Sequence, residues 1–329
     1  MALDRSETKI RNIGVLTSGG DAPGMNAAVR AVVRSGLHYD FNMYGIKRGF
    51  HGLWRGEMIE LEARDVSGIL PRGGTFLMTA RSATFATPEG VLKAKEMANV
   101  FNLGAVIVIG GDGSFRGAQA LKNVGVPVIA IPGTIDNDIS CSEYTIGYDT
   151  AMNTAMEAID KLKDTASSHE RCSVIEVMGR RAGYIALNVG ISCGAEVILL
   201  PEVPFNFDQD VVRRLLDCRN SGKNHYVVVV AEGAGNATEI AKEIQDKTGI
   251  ESRSTILGHM QRGGSPTLRD RHAASIMGTM AIDCIREGRL NRVIVLRDGH
   301  FTDIDIDEAL EMQKSIKTED INNARIIAI

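Results

Sequence analysis

The densest polar constellation in the chain is Pro132-Gly133-Thr134-Ile135-Asp136-Asn137-Asp138. Two carboxylates two residues apart, with a hydroxyl two before the first, suit phosphoryl transfer. One Asp can accept the proton of an attacking alcohol while the Thr hydroxyl hydrogen-bonds the moving group. A capped turn accounts for the same residues, because Asp and Asn favour turns whatever else they do. A second group tips the balance. Gly110-Gly111-Asp112-Gly113-Ser114-Phe115-Arg116-Gly117 follows a buried strand and opens a helix. Glycines there let backbone N–H groups approach a phosphate, and the helix N-terminus adds a partial positive charge. Asp112 in such a cradle would repel the anion unless a divalent cation lay between them. Mg²⁺ held by one or two carboxylates plus substrate phosphates is the common arrangement. With the two groups one strand apart in the same sheet, phosphoryl transfer is the favoured reading.

Other polar groups surround this pair. Ser18-Gly19-Gly20-Asp21-Ala22-Pro23-Gly24-Met25-Asn26 is a second glycine turn running into an Ala/Val/Arg helix. Asp21 and Pro23 are ordinary helix-start signals. The arginines of Arg72-Gly73-Gly74-Thr75 and Thr79-Ala80-Arg81 can reach a triphosphate, or simply decorate a solvated loop. Arg171, Arg180, Arg181 and Arg253 join His259-Met260-Gln261-Arg262-Gly263-Gly264-Ser265 as a set of cations in an acidic chain. Singly each is a surface charge, but guanidinium is also the group best suited to bidentate recognition of a phosphate monoester. Glu232, at another strand end, has the chemistry to accept hydrogen bonds from sugar hydroxyls, or to sit in a turn.

These residues must be positioned by something, and the apolar pattern says what. Short β-branched runs recur and end in glycine or another turn signal: Ile13–Thr17, Ala105–Ile109, Val126–Ile131, Ser173–Val177, Val197–Leu200, Tyr226–Val230 and Val293–Leu296. Runs without alternation are what strands buried on both faces look like. Arg253 lies before a further short run. Between the strands, Met152, Ala155, Ile159 and Leu162 form one helical stripe, and Ala273, Met277, Met280 and Cys284 another. Strand, glycine turn and helix in repetition mean an α/β fold with mostly parallel sheets, whose ligands sit beyond the carboxyl ends of the strands. From Thr302 the chain alternates Asp303, Asp305 and Asp307 with Ile304 and Ile306, which predicts a polar edge strand and then a surface helix.

Composition removes several function classes. At 329 residues the chain has length for two domains, and 37 Lys plus Arg against 41 Asp plus Glu leave a net charge of −4. That argues against a nucleic-acid binder. No run approaches the ~18 apolar residues of a membrane span, and the polar start Met1–Lys9 lacks the apolar stretch of a secretory signal. The five scattered cysteines contain no CxxC pair and fit buried thiols in a reducing compartment, so a cytoplasmic location is expected.

Taken together and in this order, Leu16-Thr17-Ser18-Gly19-Gly20-Asp21-Ala22-Pro23-Gly24-Met25-Asn26, the Gly110–Ser114 and Pro132–Asp138 runs, Met178-Gly179-Arg180 and His259–Gly264 closely resemble the bacterial ATP-dependent 6-phosphofructokinases, over nearly the full length. The resemblance implies two αβα (Rossmann-like) domains with the active site in the cleft between them. One would comprise residues 1–147 and about 261–311 and bind ATP–Mg; the other, residues 148–260 and about 312–329, would bind the sugar phosphate. It also implies a homotetramer. Matched by motif, Gly20, Arg81, Ser82, Gly111, Asp112, Gly113, Ser114 and Gly117 would form the ATP site, with Asp112 holding Mg²⁺ largely through water. Asp136 matches the general base that deprotonates the 1-hydroxyl of fructose 6-phosphate. Thr134 and Arg180 would stabilise the phosphoryl group and Asp138 orient the site. Met178, Gly179, Glu232, His259 and Arg262 would hold the sugar phosphate, and Arg171 and Arg253 match arginines lent across a subunit interface to the 6-phosphate.

The related pyrophosphate-dependent enzymes carry Asp where Gly113 stands and Lys where Gly133 stands, so the resemblance implies ATP. Arg30, Arg34, Glu196 and Lys223 match residues of the family's effector site, which binds ADP or phosphoenolpyruvate. Gly68 and Ser221 depart from it by offering no charge, and Lys163 by standing where a bidentate Arg is common, which predicts a weak or altered effector response. Ser82-Ala83-Thr84, Arg181 and Tyr184 are further departures without an assigned effect. Three competing readings are a pyrophosphate-using relative, an NAD(P)-binding oxidoreductase built on Gly111-x-Gly113-x-x-x-Gly117, and a catalytically silent sugar-phosphate sensor. The second leaves Asp112 facing a pyrophosphate without a metal, and the third has no use for both Asp112 and Asp136.

Overall fold

The computed structural model describes residues 10–328. The start Met1–Lys9, read above as lacking a secretory signal, lies outside the described residues, as does Ile329. The described residues divide into two compact units: residues 10–135, 139–149 and 262–314 form the first, and residues 136–138, 150–261 and 315–328 the second.

The first unit opens with β1 (Asn12–Thr17), α1 (Met25–His38), β2 (Asn42–Ile46), α2 (Phe50–Arg55) and β3 (Met58–Glu60). It continues through α3 (Pro88–Val100), β4 (Leu103–Gly110), α4 (Asp112–Asn123) and β5 (Val128–Pro132). The long helix α5 (Tyr148–His169) leads into the second unit, made of β6 (Cys172–Val177), α6 (Tyr184–Cys193), β7 (Val197–Leu199), α7 (Arg213–Asn220), β8 (Tyr226–Ala231), α8 (Ala237–Thr248) and β9 (Ser252–Ile256). The chain then returns to the first unit with α9 (Leu268–Arg286), β10 (Arg292–Arg297), β11 (His300–Asp305) and α10 (Ile306–Glu311). It ends in the second with α11 (Thr318–Ile327).

In the first unit the sheet order is β11-β10-β5-β4-β1-β2-β3, parallel except for the antiparallel edge strands β11 and β3. The β-branched runs supply its centre: Ala105, Val106, Ile107, Val108 and Ile109 of β4 are fully buried. One face packs Leu16, Val106, Val108, Val128 and Val293 against Phe50, Phe115 and Leu121 from the helices. On the other side α1 and α9 approach closely, since a Cβ on Gly278 would lie 2.7 Å from that of Ala31. The chain order reverses between β1 and β4, whose neighbours lie on opposite sides. Such a switch point opens a crevice at the strands' carboxyl ends, where ligands bind in open α/β sheets. The Ser18-Gly19-Gly20 and Gly111-Asp112-Gly113 turns stand there.

In the second unit β7-β8-β6-β9 are parallel throughout. The core gathers Val174, Val228 and Val230 with Leu215, Ile240 and Ile244. The expected runs are all strands, but β2, β3 and β9 carry no apolar run; β9 reads Ser-Arg-Ser-Thr-Ile and is half-exposed. Arg253, expected ahead of a short run, lies inside β9. The expected edge strand is β11, and α10 behind it buries Ile306 and Ala309 rather than lying wholly on the surface. All five cysteines are free and buried. Burial pushes Cys141 and Cys193 up to about 11, and Cys172 and Cys284 up to about 12. Among the described residues no helix is long and apolar enough to cross a membrane.

Candidate active site

In the first unit, β4 ends at Gly110 and α4 begins at Asp112, with Gly111 as its cap and no side chain capping it. The first N–H groups of any α-helix have no intrahelical acceptor, so this end has the donors to receive an anion. Ser114 is buried in the first turn, and its Oγ lies 3.5 Å from where a Cβ on Gly19 would stand, joining the two glycine turns. Gly113 faces open space, and a Cβ on Gly111 would lie 3.6 Å from Thr134. Gly117 is a packing residue here: a side chain would strike the Phe50 ring at 2.6 Å, and Phe50 stacks on Phe85. Asp112 is half-exposed, with its carboxylate 3.0 Å from Arg116 Nε. Among the described residues no cluster of three or more His, Cys, Asp or Glu is placed to hold a metal. A single hard oxygen donor beside a phosphate cradle fits Mg²⁺, which takes its remaining ligands from phosphate and water.

The first glycine turn is held from two sides. A Cβ on Gly20 would collide with the Arg262 guanidinium, whose Nη1 donates to the Asp21 carbonyl at 3.1 Å. Arg262, expected with the sugar phosphate, therefore lies over the Gly20 turn. The loop that carries Arg72 and Arg81 is tied to the same place. Asn26 Nδ2 donates to the Arg72 and Gly73 carbonyls at 3.0 and 3.1 Å, and its Oδ1 accepts the Phe76 N–H at 2.7 Å. Thr79 Oγ1 donates to the Gly19 carbonyl at 2.8 Å. Arg81 is exposed beyond this tether. The Ser82 oxygen accepts from Trp54 Nε1 and the Phe85 N–H at 3.2 and 3.1 Å, so it is engaged in shaping the loop.

The second unit carries Asp136 and Asp138, the candidate acid–base residues. Asp136 is 2% exposed, and its Oδ2 lies 3.5 Å from Arg180 Nε, while the rest of the Arg180 side chain is largely solvated. The turn after β6 explains how Arg180 is aimed. Gly179 (φ 145°) and Arg180 (φ 55°) both have positive φ, and a Cβ on Gly179 would strike the Ala182 carbonyl. For Arg this region costs about 1 kcal/mol, tolerated only when the surroundings impose it. They do: Glu232 Oε1, at the end of the adjacent strand β8, accepts the Arg180 N–H at 2.6 Å and the Gly179 N–H at 3.2 Å. Gln261 Oε1 accepts the Met178 N–H at 2.9 Å. Asp138 is half-buried near Tyr184, whose hydroxyl is pushed up to about 12 by burial and then by the Glu202 and Asp138 charges. His259 is exposed on a short 3₁₀ turn.

Arg171 and Arg253 meet on one carboxylate: Glu251 lies 3.0 Å from Arg171 Nε and 2.7 Å from Arg253 Nη2. The two guanidiniums hold its carboxyl below the usual range. Sequence reading passed over Glu251 and gave Gln261 no role. Glu251 stands two residues before Arg253, the spacing of one strand face, which is the signal that would have found it.

The expected effector residues are divided. Buried Glu196 pairs with Lys223 and accepts the Val227 N–H at 2.5 Å, inside the second unit. Arg30 and Arg34 lie one turn apart on α1 in the first unit, and burial followed by Arg34's charge lowers the Arg30 pKa. Lys163 Nζ donates to the Cys193 carbonyl at 2.8 Å, Ser221 Oγ to that of Cys218 at 2.8 Å, and Gly68 faces open space.

The family model described as phosphofructokinase matches residues 12–285. The chain is 51% identical over 306 residues to ATP-dependent 6-phosphofructokinase 1 of Clostridium perfringens, covering 93% of this chain and 96% of that one. It is 50% identical over 319 residues to ATP-dependent 6-phosphofructokinase of Clostridium botulinum (strain Loch Maree), covering 97% and 100%. Among solved structures, Pichia pastoris phosphofructokinase in the T-state aligns with a TM-score of 0.88 at 34% identity over 92% of this chain, which spans 36% of that longer one. On the matched segment and the near-complete clostridial overlap, the chain belongs to the phosphofructokinase family.

Proposed function

We propose that the chain transfers the γ-phosphoryl group of ATP to the 1-hydroxyl of fructose 6-phosphate, giving fructose 1,6-bisphosphate and ADP. The observation that carries this reading is the buried Asp136 carboxylate 3.5 Å from the Arg180 guanidinium. A base and a charge-neutralising donor side by side suit an in-line transfer to an alcohol. Asp136 takes the proton of the 1-hydroxyl as its oxygen bonds to phosphorus, and the bond from the γ-phosphorus to the ADP oxygen breaks. Arg180 and the Thr134 hydroxyl neutralise charge on the moving group, and Asp138 orients the site. Mg²⁺, held through Asp112, would supply charge neutralisation on the nucleotide phosphates when bound.

The first unit, with Gly20, Arg81, Ser82 and the Gly111–Gly117 segment, is the nucleotide part. The second, with Met178, Gly179, Glu232 and His259, is the sugar-phosphate part. Glu232 uses one oxygen on the Gly179 and Arg180 amides and offers the other to a sugar hydroxyl. Arg262 contributes its guanidinium to holding the sugar phosphate. Arg171 and Arg253 serve the 6-phosphate of a neighbouring subunit in a homotetramer, released from Glu251 by the incoming dianion. A cytoplasmic location agrees with five free thiols. Effector response is weak or altered, because Gly68 and Ser221 offer no charge and Lys163 cannot make a bidentate contact.

ATP rather than pyrophosphate is the phosphoryl donor. Both clostridial relatives carry ATP in their names, and residues 113 and 133 are glycine. A coupled assay across several sugar phosphates, with ATP and pyrophosphate compared, tests the proposal. Turnover is expected with ATP and fructose 6-phosphate; turnover with pyrophosphate and none with ATP overturns it.

A further inference from the structure

Asp270 is a fully buried carboxylate in the first turn of α9, with no part in the chemistry above. Its Oδ1 accepts the Tyr144 hydroxyl at 2.5 Å and the Gly147 N–H at 2.7 Å. The Arg269 guanidinium covers the Tyr144 ring at 4.6 Å. Burial and then the Asp270 charge push the Tyr144 hydroxyl far up, so it stays a donor at every working pH. The two residues between these donors lead straight to the acid–base element. Thr145 Oγ1 donates to the Thr134 carbonyl at 2.6 Å, and the Ile146 N–H to the Pro132 carbonyl at 2.9 Å. Gly133 and Ile146 bridge in parallel. Asp270 therefore grips both ends of a strap, residues 144–147, whose middle holds the backbone that bears Thr134 and continues into Asp136.

A buried carboxylate is a costly group for this task unless its hydrogen bonds repay the desolvation. Two donors on one oxygen, one a phenol and one a backbone amide, are strong charge-assisted bonds. We propose that Asp270 and Tyr144 are positioning residues for phosphoryl transfer, fixing the placement of Thr134 and Asp136 through the Thr145–Ile146 strap. The inference rests on the reading of Asp136 as the base.

The test is steady-state kinetics on the full chain, with melting curves recorded for every variant. Tyr144→Phe is expected to lower kcat about tenfold with both KM values within about twofold, since a misplacement near 1 Å can cost up to about 10² in rate. Asp270→Asn, whose amide oxygen still accepts both donors, recovers kcat to within about threefold of the parent. The decisive readout is a cycle with Asp136→Ala combined with Thr134→Val. With neither placed group left to misplace, Tyr144→Phe costs less than about twofold, whereas a general loosening of the fold costs the same tenfold in both backgrounds. Equal losses in the two backgrounds, or a Tyr144→Phe enzyme with unchanged kcat, overturn the proposal while leaving Asp136 as the base. An Asp136→Ala loss below about tenfold removes the base itself, and the inference falls with it. Should Tyr144→Phe fail to fold, Thr145→Val, which deletes the donor to the Thr134 carbonyl, runs the same cycle with the same expectations.

Discussion

At the scale of single residues, the assignment turns on Asp136. Asp136→Ala is expected to lose roughly 10²–10⁴-fold in kcat, the usual worth of a positioned base, in an assay coupled to ADP release. Gly113 permits a sharper test of nucleotide choice. A side chain there meets open space, so Gly113→Asp folds with an unchanged melting curve; its negative charge beside the phosphate cradle raises KM for ATP about tenfold. A destabilised Gly113→Asp protein with normal KM would refute both halves. The glycine–aspartate runs are readable in sequence because turn chemistry restricts which residues can stand there. The commitments of Glu251 to two arginines and of Arg262 to the Gly20 turn are not, because they depend on which long side chains the fold brings into reach.

At the scale of elements, apolar runs mark the central strands because both their faces are buried, whereas β2, β3 and β9 are made of polar or interrupted sequence that only their neighbours make into strands. The edge pair β10–β11 shows what replaces apolar burial at a margin. Asp303 in β11 is paired with Arg289 and with Arg292 Nε at 2.7 Å. Burial alone raises its pKa, but the hydrogen bonds from Arg292 and Arg289 outweigh burial and leave it lowered. A lowered folded pKa means stabilisation present above the carboxylate's unfolded value and lost as pH falls through the folded one. Asp303→Asn should therefore cost about 1–2 kcal/mol at pH 7 and less near pH 2, as read from denaturant midpoints at the two pH values. An equal cost at both would show that shape, and not charge, holds this margin.

At the scale of the whole molecule, the proposed tetramer makes catalysis a property of the assembly. If Arg171 and Arg253 serve a neighbour's substrate, two defective chains can repair one another. Arg253→Ala and Asp136→Ala subunits, dissociated and reassembled together, are expected to give activity well above the sum of the two parents. No gain over that sum would confine each site to its own chain. The five sheltered cysteines have a separate consequence. With the protons of Cys141 and Cys193 held to about pH 11, fewer than about one in a thousand of those two sulfurs is ionised near neutrality, and all five lie buried. Alkylating agents and mild oxidants will pass the native enzyme by, and the pace at which they finally mark it will count how often the molecule opens.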